Sequence, residues 1–350
     1  MISSVSPVRL AVFGCGLVGE RHVQHIIDSP SCMLTSIIDP SPHARKAAES
    51  AGVQYFEDVT SFLERPDAEA VIIATPNESH ASLGIKCAKA GLHLFVEKPI
   101  DADLAAASEL VDTATQEGVK LLVGHHRRFN PYIEAAKKII DSGELGTISA
   151  VNILWATLKP NSYFKVDWRR ESGGGPLLIN LIHDIDNLRY LFGDIERVYA
   201  EASHAVRQYP VEDTAAISLR FRNGILGTMV ISDTVASPYN FESGTGENPL
   251  IYANGQDCYW VFGTDGTLTL PEMKVWHYSG AGEKGWSVPI SCQPIEIERT
   301  IPLVPQLEHF CAIIRQGASP RCSGQDAIKT LKTIMAIKEA SCSGTPVVIS

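Results

Sequence analysis

The sequence predicts an α/β chain in two parts: a doubly wound parallel-sheet half, then an α+β half built on a large, mostly antiparallel open sheet. Three observations predict it. Short β-branched runs alternate with helix-period segments from Val8 to about Gly124, strict two-residue alternation appears further on, and 350 residues exceed what one hydrophobic core usually serves. The boundary is accordingly expected near Gly124, with 1–124 as the first domain and 125–350 as the second.

In the first part, strands are expected at Val8–Phe13, Leu34–Ile38, Ala70–Ala74, Leu92–Val96 and Lys120–Val123, each an apolar run suited to a sheet buried on both faces. Helices near Leu17–Asp28, Pro42–Ala51, Ser79–Ala90 and Asp103–Glu117 separate them, each closing at or near Gly, Pro or Ser. In the second part Ala215, Ile217, Leu219 and Phe221 alternate, Asn223-Gly224 follows, and Leu226, Thr228 and Val230 resume the alternation, which predicts a hairpin with a type I′ turn. Further strands are expected at Ile148–Leu154, Arg197–Ser203, Tyr259–Phe262 and Thr267–Leu270. A last helix near 324–341 carries Ile328, Leu331, Ile334, Met335 and Ile337 on one stripe, closes at Ser343-Gly344, and is expected to pack back near the first domain. Segments 237–257 and 279–296 are rich in Gly, Pro, Ser and Asn without a clear period, so they read as loops.

Composition narrows the function classes. With 45 % hydrophobic and 20 % charged residues the chain is globular, which excludes disordered, collagen-like and coiled-coil classes. A formal charge of −10 repels nucleic acid and anionic membranes, so neither is expected as a partner. Eight scattered cysteines form no C-x-x-C pair and no zinc-spaced group, which favours reduced thiols and no metal site. His22 and His25 lie three apart on the first helix without a carboxylate at ligand spacing, and are expected to face solvent. The segment Met1–Pro7 has no basic stretch, and no run approaches the ~20 apolar residues of a membrane span, so a soluble, cytoplasmic protein is expected.

Chemistry enters at Gly14-Cys15-Gly16-Leu17-Val18-Gly19, which follows the first strand directly and opens a helix. Glycines there permit a tight turn and let backbone N–H groups approach a pyrophosphate at the helix N-terminus. Asp39 stands at the end of the second strand, 20 residues past Gly19, where a carboxylate accepts hydrogen bonds from adenosine ribose hydroxyls. It also repels a 2′-phosphate, so NAD is favoured, while Ser41 and Arg45 leave NADP open. Asp39 also reads as a helix cap before Pro42, and Cys15 as a small residue chosen for fit. Two further segments, Thr75-Pro76-Asn77-Glu78-Ser79-His80 and Glu97-Lys98-Pro99, follow strand ends, where open α/β sheets bind ligands.

Together with a Gly173-Gly174-Gly175 turn leading to His183 and a Gln306…His309-Phe310 region, these segments make the chain resemble the Gfo/Idh/MocA oxidoreductases, named for glucose-fructose oxidoreductase and inositol dehydrogenase. The resemblance implies that Lys98 holds the substrate oxygen near the nicotinamide and that His183 is the acid/base, with Thr75, Pro76, Asn77, His80, Glu97 and Lys98 beside the cofactor. Both assignments make chemical sense: an ammonium stabilises a developing alkoxide, and an imidazole exchanges protons near neutrality. The resemblance further implies self-association as a homodimer or homotetramer.

One departure stands out. Many members of the family carry an aspartate four residues before the histidine, where this chain has Ile179. Asn180 is expected to be a neutral substrate-binding group and Asp186 to orient His183, leaving Ile179 as core. The resemblance implies that the loops carrying Arg128, Tyr163, Trp168 and Arg169, with Arg127 and Arg170 beside them, help line the substrate cleft; salt bridges at a domain or subunit contact are the equal alternative for these residues. The implied activity is hydride transfer between a nicotinamide and a secondary alcohol or ketone of a sugar, cyclitol or sugar acid. Two alternatives stay open, a family enzyme with retained cofactor and a different net reaction, and a non-catalytic dinucleotide-binding regulator.

Overall fold

The computed structural model describes residues 6–171, 173–279 and 284–349. The expectations for residues 1–5 and for a loop at 280–283 lie outside the described residues. Among the described residues fifteen strands are found: β1 Val8–Phe13, β2 Cys32–Ile38, β3 Gln54–Phe56, β4 Ala70–Ile73, β5 His93–Val96, β6 Leu121–Val123, β7 Ile148–Ala156, β8 Ile195–Ser203, β9 Thr214–Phe221, β10 Leu226–Ser232, β11 Tyr259–Gly263, β12 Gly266–Leu270, β13 Lys274–Tyr278, β14 Ile290–Pro294 and β15 Val347–Val348. The helices are α1 Leu17–Asp28, α2 Pro42–Ala51, α3 Val59–Leu63, α4 His80–Lys89, α5 Leu104–Gln116, α6 Pro131–Asp141, α7 Pro176–Ile179, α8 Leu181–Phe192, α9 Phe241–Thr245, α10 Leu303–Gln316 and α11 Gly324–Ser343. Among the described residues, no helix is long and apolar enough to cross a membrane.

The chain divides into two compact units, Met1–Phe129 with Pro302–Leu331, and Asn130–Ile301 with Lys332–Ser350. In the first, six parallel strands run in the order β3-β2-β1-β4-β5-β6. Strand order reverses at β1, whose Phe13 pairs with Ile38 on one side and Ile73 on the other, and this is the switch point where such sheets bind ligands. Val8, Leu10, Val12, Ile72 and Phe95 are fully buried, as both-face burial requires. Leu307, Phe310 and Ile313 of α10 join the same core, so segment 302–331 returns to the first compact unit. Strand β3 and helix α3 escape a periodicity reading because three and five residues are too short to display one.

The second unit holds nine strands in the order β14-β13-β12-β11-β7-β10-β9-β8-β15, antiparallel throughout except for the parallel pair β7 and β10. Trp155, Phe221, Phe241 and Tyr259 are buried in its core with Leu181, Ile185 and Leu188 of α8. The hairpin between β9 and β10 is one residue longer than the expected type I′ turn. Gly224 N–H donates to Phe221 O (3.0 Å), Phe221 N–H donates to Ile225 O (2.9 Å), and within the loop only Gly224 takes a positive φ, 92°. That is a three-residue type I turn closed by a left-handed glycine.

Two expected loops contain structure. Asn240 caps α9 through Ser243 N–H (2.9 Å), and this single buried turn is again too short to show a period. Strand β14 is exposed at every position and held by its ladder with β13, so it has no apolar face to reveal it. Helix α11 buries Leu331, Ile334 and Ile337 completely, and Gly344 (φ 66°) ends it.

Within the first unit Arg315 of α10 makes a two-pronged bond to Glu69 (2.7 and 2.9 Å) and donates to Ser6 O and Pro7 O at the head of β1. Its hydrogen bonds outweigh burial and hold the Glu69 carboxyl down to about 2. A depressed carboxyl stabilises the fold above its ordinary value of 4.5 and loses that contribution as pH falls toward 2. Because the pair is partly solvated, Arg315→Ala should cost about 1–2 kcal/mol at neutral pH, with the deficit closing below pH ~4.5, in urea unfolding followed by circular dichroism. A deficit independent of pH would contradict the ion pair.

Candidate active site

The carboxyl edge of the parallel sheet gathers most of the residues singled out in the first unit. Gly14 leaves β1 with φ 85°, a conformation that L side chains rarely adopt, and a Cβ on Gly19 would stand 1.9 Å from Gly14 O. Gly16 precedes α1 with no side-chain cap, and a Cβ there would meet nothing within 4 Å. The first N–H groups of α1 are thus left uncapped beside open space, with Leu17 and Val18 exposed, an arrangement that fits a pyrophosphate. Burial, aided by Glu20 and Asp39, pushes the Cys15 thiol up to about 11, so it is not a ready nucleophile.

Asp39 accepts from Cys15 N–H (2.8 Å) through one oxygen and from Ser41 N–H (2.7 Å) through the other. Burial pushes its carboxyl up, but these hydrogen bonds prevail and hold it below the usual carboxylate value. An ionised acceptor is therefore fixed against the glycine turn, where ribose hydroxyls would meet it. Ser41, not Asp39, caps α2, accepting from Ala44 N–H at 3.3 Å. Arg45 stacks on Tyr55 at 4.8 Å, and Tyr55 donates to Asp39 O at 2.9 Å.

At the end of β4, Ser79 Oγ donates to Pro76 O (2.7 Å) and lies 2.7 Å from Thr75 Oγ1, which pins the Thr75-Pro76-Asn77 turn while leaving Pro76 and Asn77 exposed. His80 is fully buried, so its role is to hold this edge rather than to touch a ligand. Its Nε2 bonds Thr75 O (2.9 Å) and its Nδ1 bonds Pro99 O (2.8 Å), joining the two loops that follow β4 and β5. Asp101, missed by the sequence reading, accepts from Ala81 N–H (2.9 Å) and so caps α4.

Glu97 and Lys98 follow β5, and here the structure corrects the reading of His22. Far from facing solvent, His22 is fully buried, edge-on to Phe95 at 5.1 Å, with Nε2 2.7 Å from Glu97 Oε1. The other Glu97 oxygen accepts from Lys98 N–H at 3.1 Å. Burial drives the Glu97 carboxyl upward, yet the His22 bond and the charges of His22, His126 and Lys98 carry it down to about 2. A buried carboxylate needs a partner, and that of Glu97 lies 75 residues away in sequence.

In the second unit the segment after the glycine turn forms two helices, α7 and α8, that meet at Asn180. Ile179, expected in the core, is half-exposed at the end of α7. His183 lies one turn into α8 and is buried, as is Asp186, and His183 N–H donates to Asn180 O at 3.1 Å. Asn180 Oδ1 accepts from Lys159 Nζ at 2.9 Å. Lys159 pairs with buried Asp233 (3.3 Å), and its ammonium stands 4.9 Å from the Tyr163 ring centre. Burial lowers the Lys159 pKa against the opposing pull of Asp233. Arg169 stacks on Tyr163 (4.1 Å) and Trp168 (5.5 Å), and donates to Tyr163 O at 3.0 Å. Arg170 pairs with Asp167, and Trp168 is exposed.

Arg128 belongs elsewhere. It is buried in the first unit, donates to Arg321 O (2.7 Å) and pairs with Asp326, so its guanidinium anchors the 302–331 segment instead of lining a substrate cleft.

Two outcomes follow from the first unit's geometry. Asp39→Ala should weaken NAD about tenfold or more while changing NADP less, read by calorimetric titration; an equal loss for both would remove Asp39 from ribose recognition. Glu97→Gln should lower stability by about 3 kcal/mol at neutral pH, the gap closing as acid protonates the native carboxylate between pH ~4.5 and ~2. Scanning calorimetry across that range checks it, and a gap that persists unchanged to pH 2 would show that Glu97 is not held ionised.

Comparison with known proteins identifies the family. The family described as "Oxidoreductase family, NAD-binding Rossmann fold" matches residues 8–125, and "Oxidoreductase family, C-terminal alpha/beta domain" matches residues 137–349. The scyllo-inositol 2-dehydrogenase (NAD(+)) of Bacillus subtilis (strain 168) is 29 % identical across 97 % of this chain and 96 % of its own. Myo-inositol 2-dehydrogenase of Thermotoga maritima is 31 % identical across 67 % of this chain and 71 % of its own. A solved scyllo-inositol dehydrogenase from Lactobacillus casei, with bound NAD(H) and scyllo-inositol, shares the fold at a TM-score of 0.78 and 21 % identity, covering 98 % of this chain and 99 % of that one. With its glycine turn, its acidic strand end and two family profiles that together take in most of its length, the chain belongs to the Gfo/Idh/MocA oxidoreductases, an NAD-binding Rossmann domain followed by the family's C-terminal alpha/beta domain.

Proposed function

We propose that the protein is an NAD-dependent dehydrogenase of a secondary alcohol in a cyclitol, sugar or sugar acid. One observation carries the reading: the Gly14–Gly19 turn, Asp39, the Thr75-Pro76-Asn77 turn and Lys98 all follow the carboxyl ends of neighbouring parallel strands. The substrates named for the inositol dehydrogenase relatives support the cyclitol class. Bound NAD supplies the hydride acceptor. Lys98, beside the ionised Glu97, stabilises negative charge on the substrate oxygen, and His183 takes the hydroxyl proton as the carbinol hydride departs. The first unit serves the cofactor and α7–α8 with the preceding loop serves the substrate.

Self-association fits the outer face of the nine-stranded sheet, where Leu226, Val230 and Phe262 are 40–52 % exposed. A homodimer or homotetramer would cover them. None of the eight cysteines forms a disulfide, which supports a reducing, cytoplasmic setting.

Absorbance of the reduced nicotinamide at 340 nm, with NAD or NADP against inositols, sugars and sugar acids, tests the activity. Lys98→Met and His183→Ala should each lower kcat/KM by about 10²-fold or more and leave NAD affinity within about threefold. An active double variant, or no turnover on any of these alcohols with NAD bound, would overturn the reading.

A further inference from the structure

The second unit contains an arrangement that the sequence reading did not foresee, and its chemistry is directional. Lys159 is held by Asp233, which also takes Arg207 Nε at 3.0 Å, and all three side chains are at least nine-tenths buried. Glu242, the other acid near Lys159, accepts from Trp155 Nε1 at 2.9 Å. The acidic oxygens around the ammonium are therefore already engaged with donors.

An ammonium can only donate. Lys159 bonded to Asn180 at 2.9 Å thus fixes which branch of that amide is oxygen, and Nδ2 must occupy the opposite branch. No acceptor among the described residues takes Nδ2, and Asn180 is half-exposed. It sits one helical turn from His183. The cation next to it is the Lys159 ammonium, and the Tyr163 ring that Lys159 approaches at 4.9 Å also carries Arg169 at 4.1 Å.

We propose that Asn180, oriented by Lys159, determines specificity by offering an N–H donor next to a cation, and so selects a substrate with an anionic acceptor, a sugar acid, over the matching neutral sugar or polyol. The inference rests on the reading that α8 carries the proton acceptor for the substrate alcohol. Arg207 and Asp233 act through Lys159 and are positioning residues.

Asn180→Asp is the sharpest test, because it keeps the shape and the Lys159 bond while replacing the donor with a charged acceptor. Calorimetric titration in the presence of NADH compares D-glucuronate with D-glucose and D-gluconate with sorbitol, alongside kcat/KM for whichever is turned over. The wild type should prefer the acid in at least one pair, and Asn180→Asp should weaken the acid by about 30-fold or more while changing the neutral partner by less than about threefold. Lys159→Met, in which Asp233 keeps Arg207, should shrink the preference toward unity. Equal binding within both pairs, or a preference unchanged in Asn180→Asp, overturns the inference even if dehydrogenase turnover is present. Acid binding that is lost in Asn180→Asp, in a protein without turnover, sustains the inference and removes the dehydrogenase reading instead.

Discussion

A carboxylate buried as completely as Glu97 is stable only if its charge is answered on every side, and that constraint organises the cofactor half. His22 supplies one hydrogen bond from α1, the helix that the glycine turn launches. Lys98 N–H supplies another from the loop after β5, and Gly124 closes over the carboxyl from the end of β6, where any Cβ would lie 2.9 Å from it. Three neighbouring elements are thereby indexed to one group. The desolvation cost of the ion is offset by bonds that also fix where the Gly14–Gly19 turn stands relative to Lys98, so a structural pair doubles as an alignment device.

Helix α8 applies the same physics in the second unit. His183, Asp184, Asp186, Asn187 and Arg189 are all buried among Leu181, Ile185 and Leu188. Tyr259 bonds both Asp184 and Asn187, and Arg189 pairs with Asp194 at 2.7 Å. A helix so rich in buried polar groups holds its place only through particular partners, and those partners fix where the His183 imidazole stands.

Much of this was legible in sequence wherever a signal is local. α1 and α2 begin and end where periodicity and caps place them, and the Gly14–Gly19 turn with Asp39 at its set distance needs no tertiary knowledge. What escaped depends on pairing across the chain. His22 reads as a surface histidine until β5 brings Glu97 against it, and Arg128 reads as a substrate group until Asp326 claims it across 198 residues. Lys159 carried no motif at all, and its bond to Asn180 spans 21 residues.

The interleaving of the two units also bears on how the chain is made. A ribosome that has delivered residues up to Ile301 has released every strand of the parallel sheet, yet Leu307, Phe310 and Ile313 of its core are still to come. The second unit is likewise unfinished until Val347–Val348 adds itself to the edge of β8. A fragment that stops at Ile301 therefore completes neither unit, and the two units are finished only by segments that follow it.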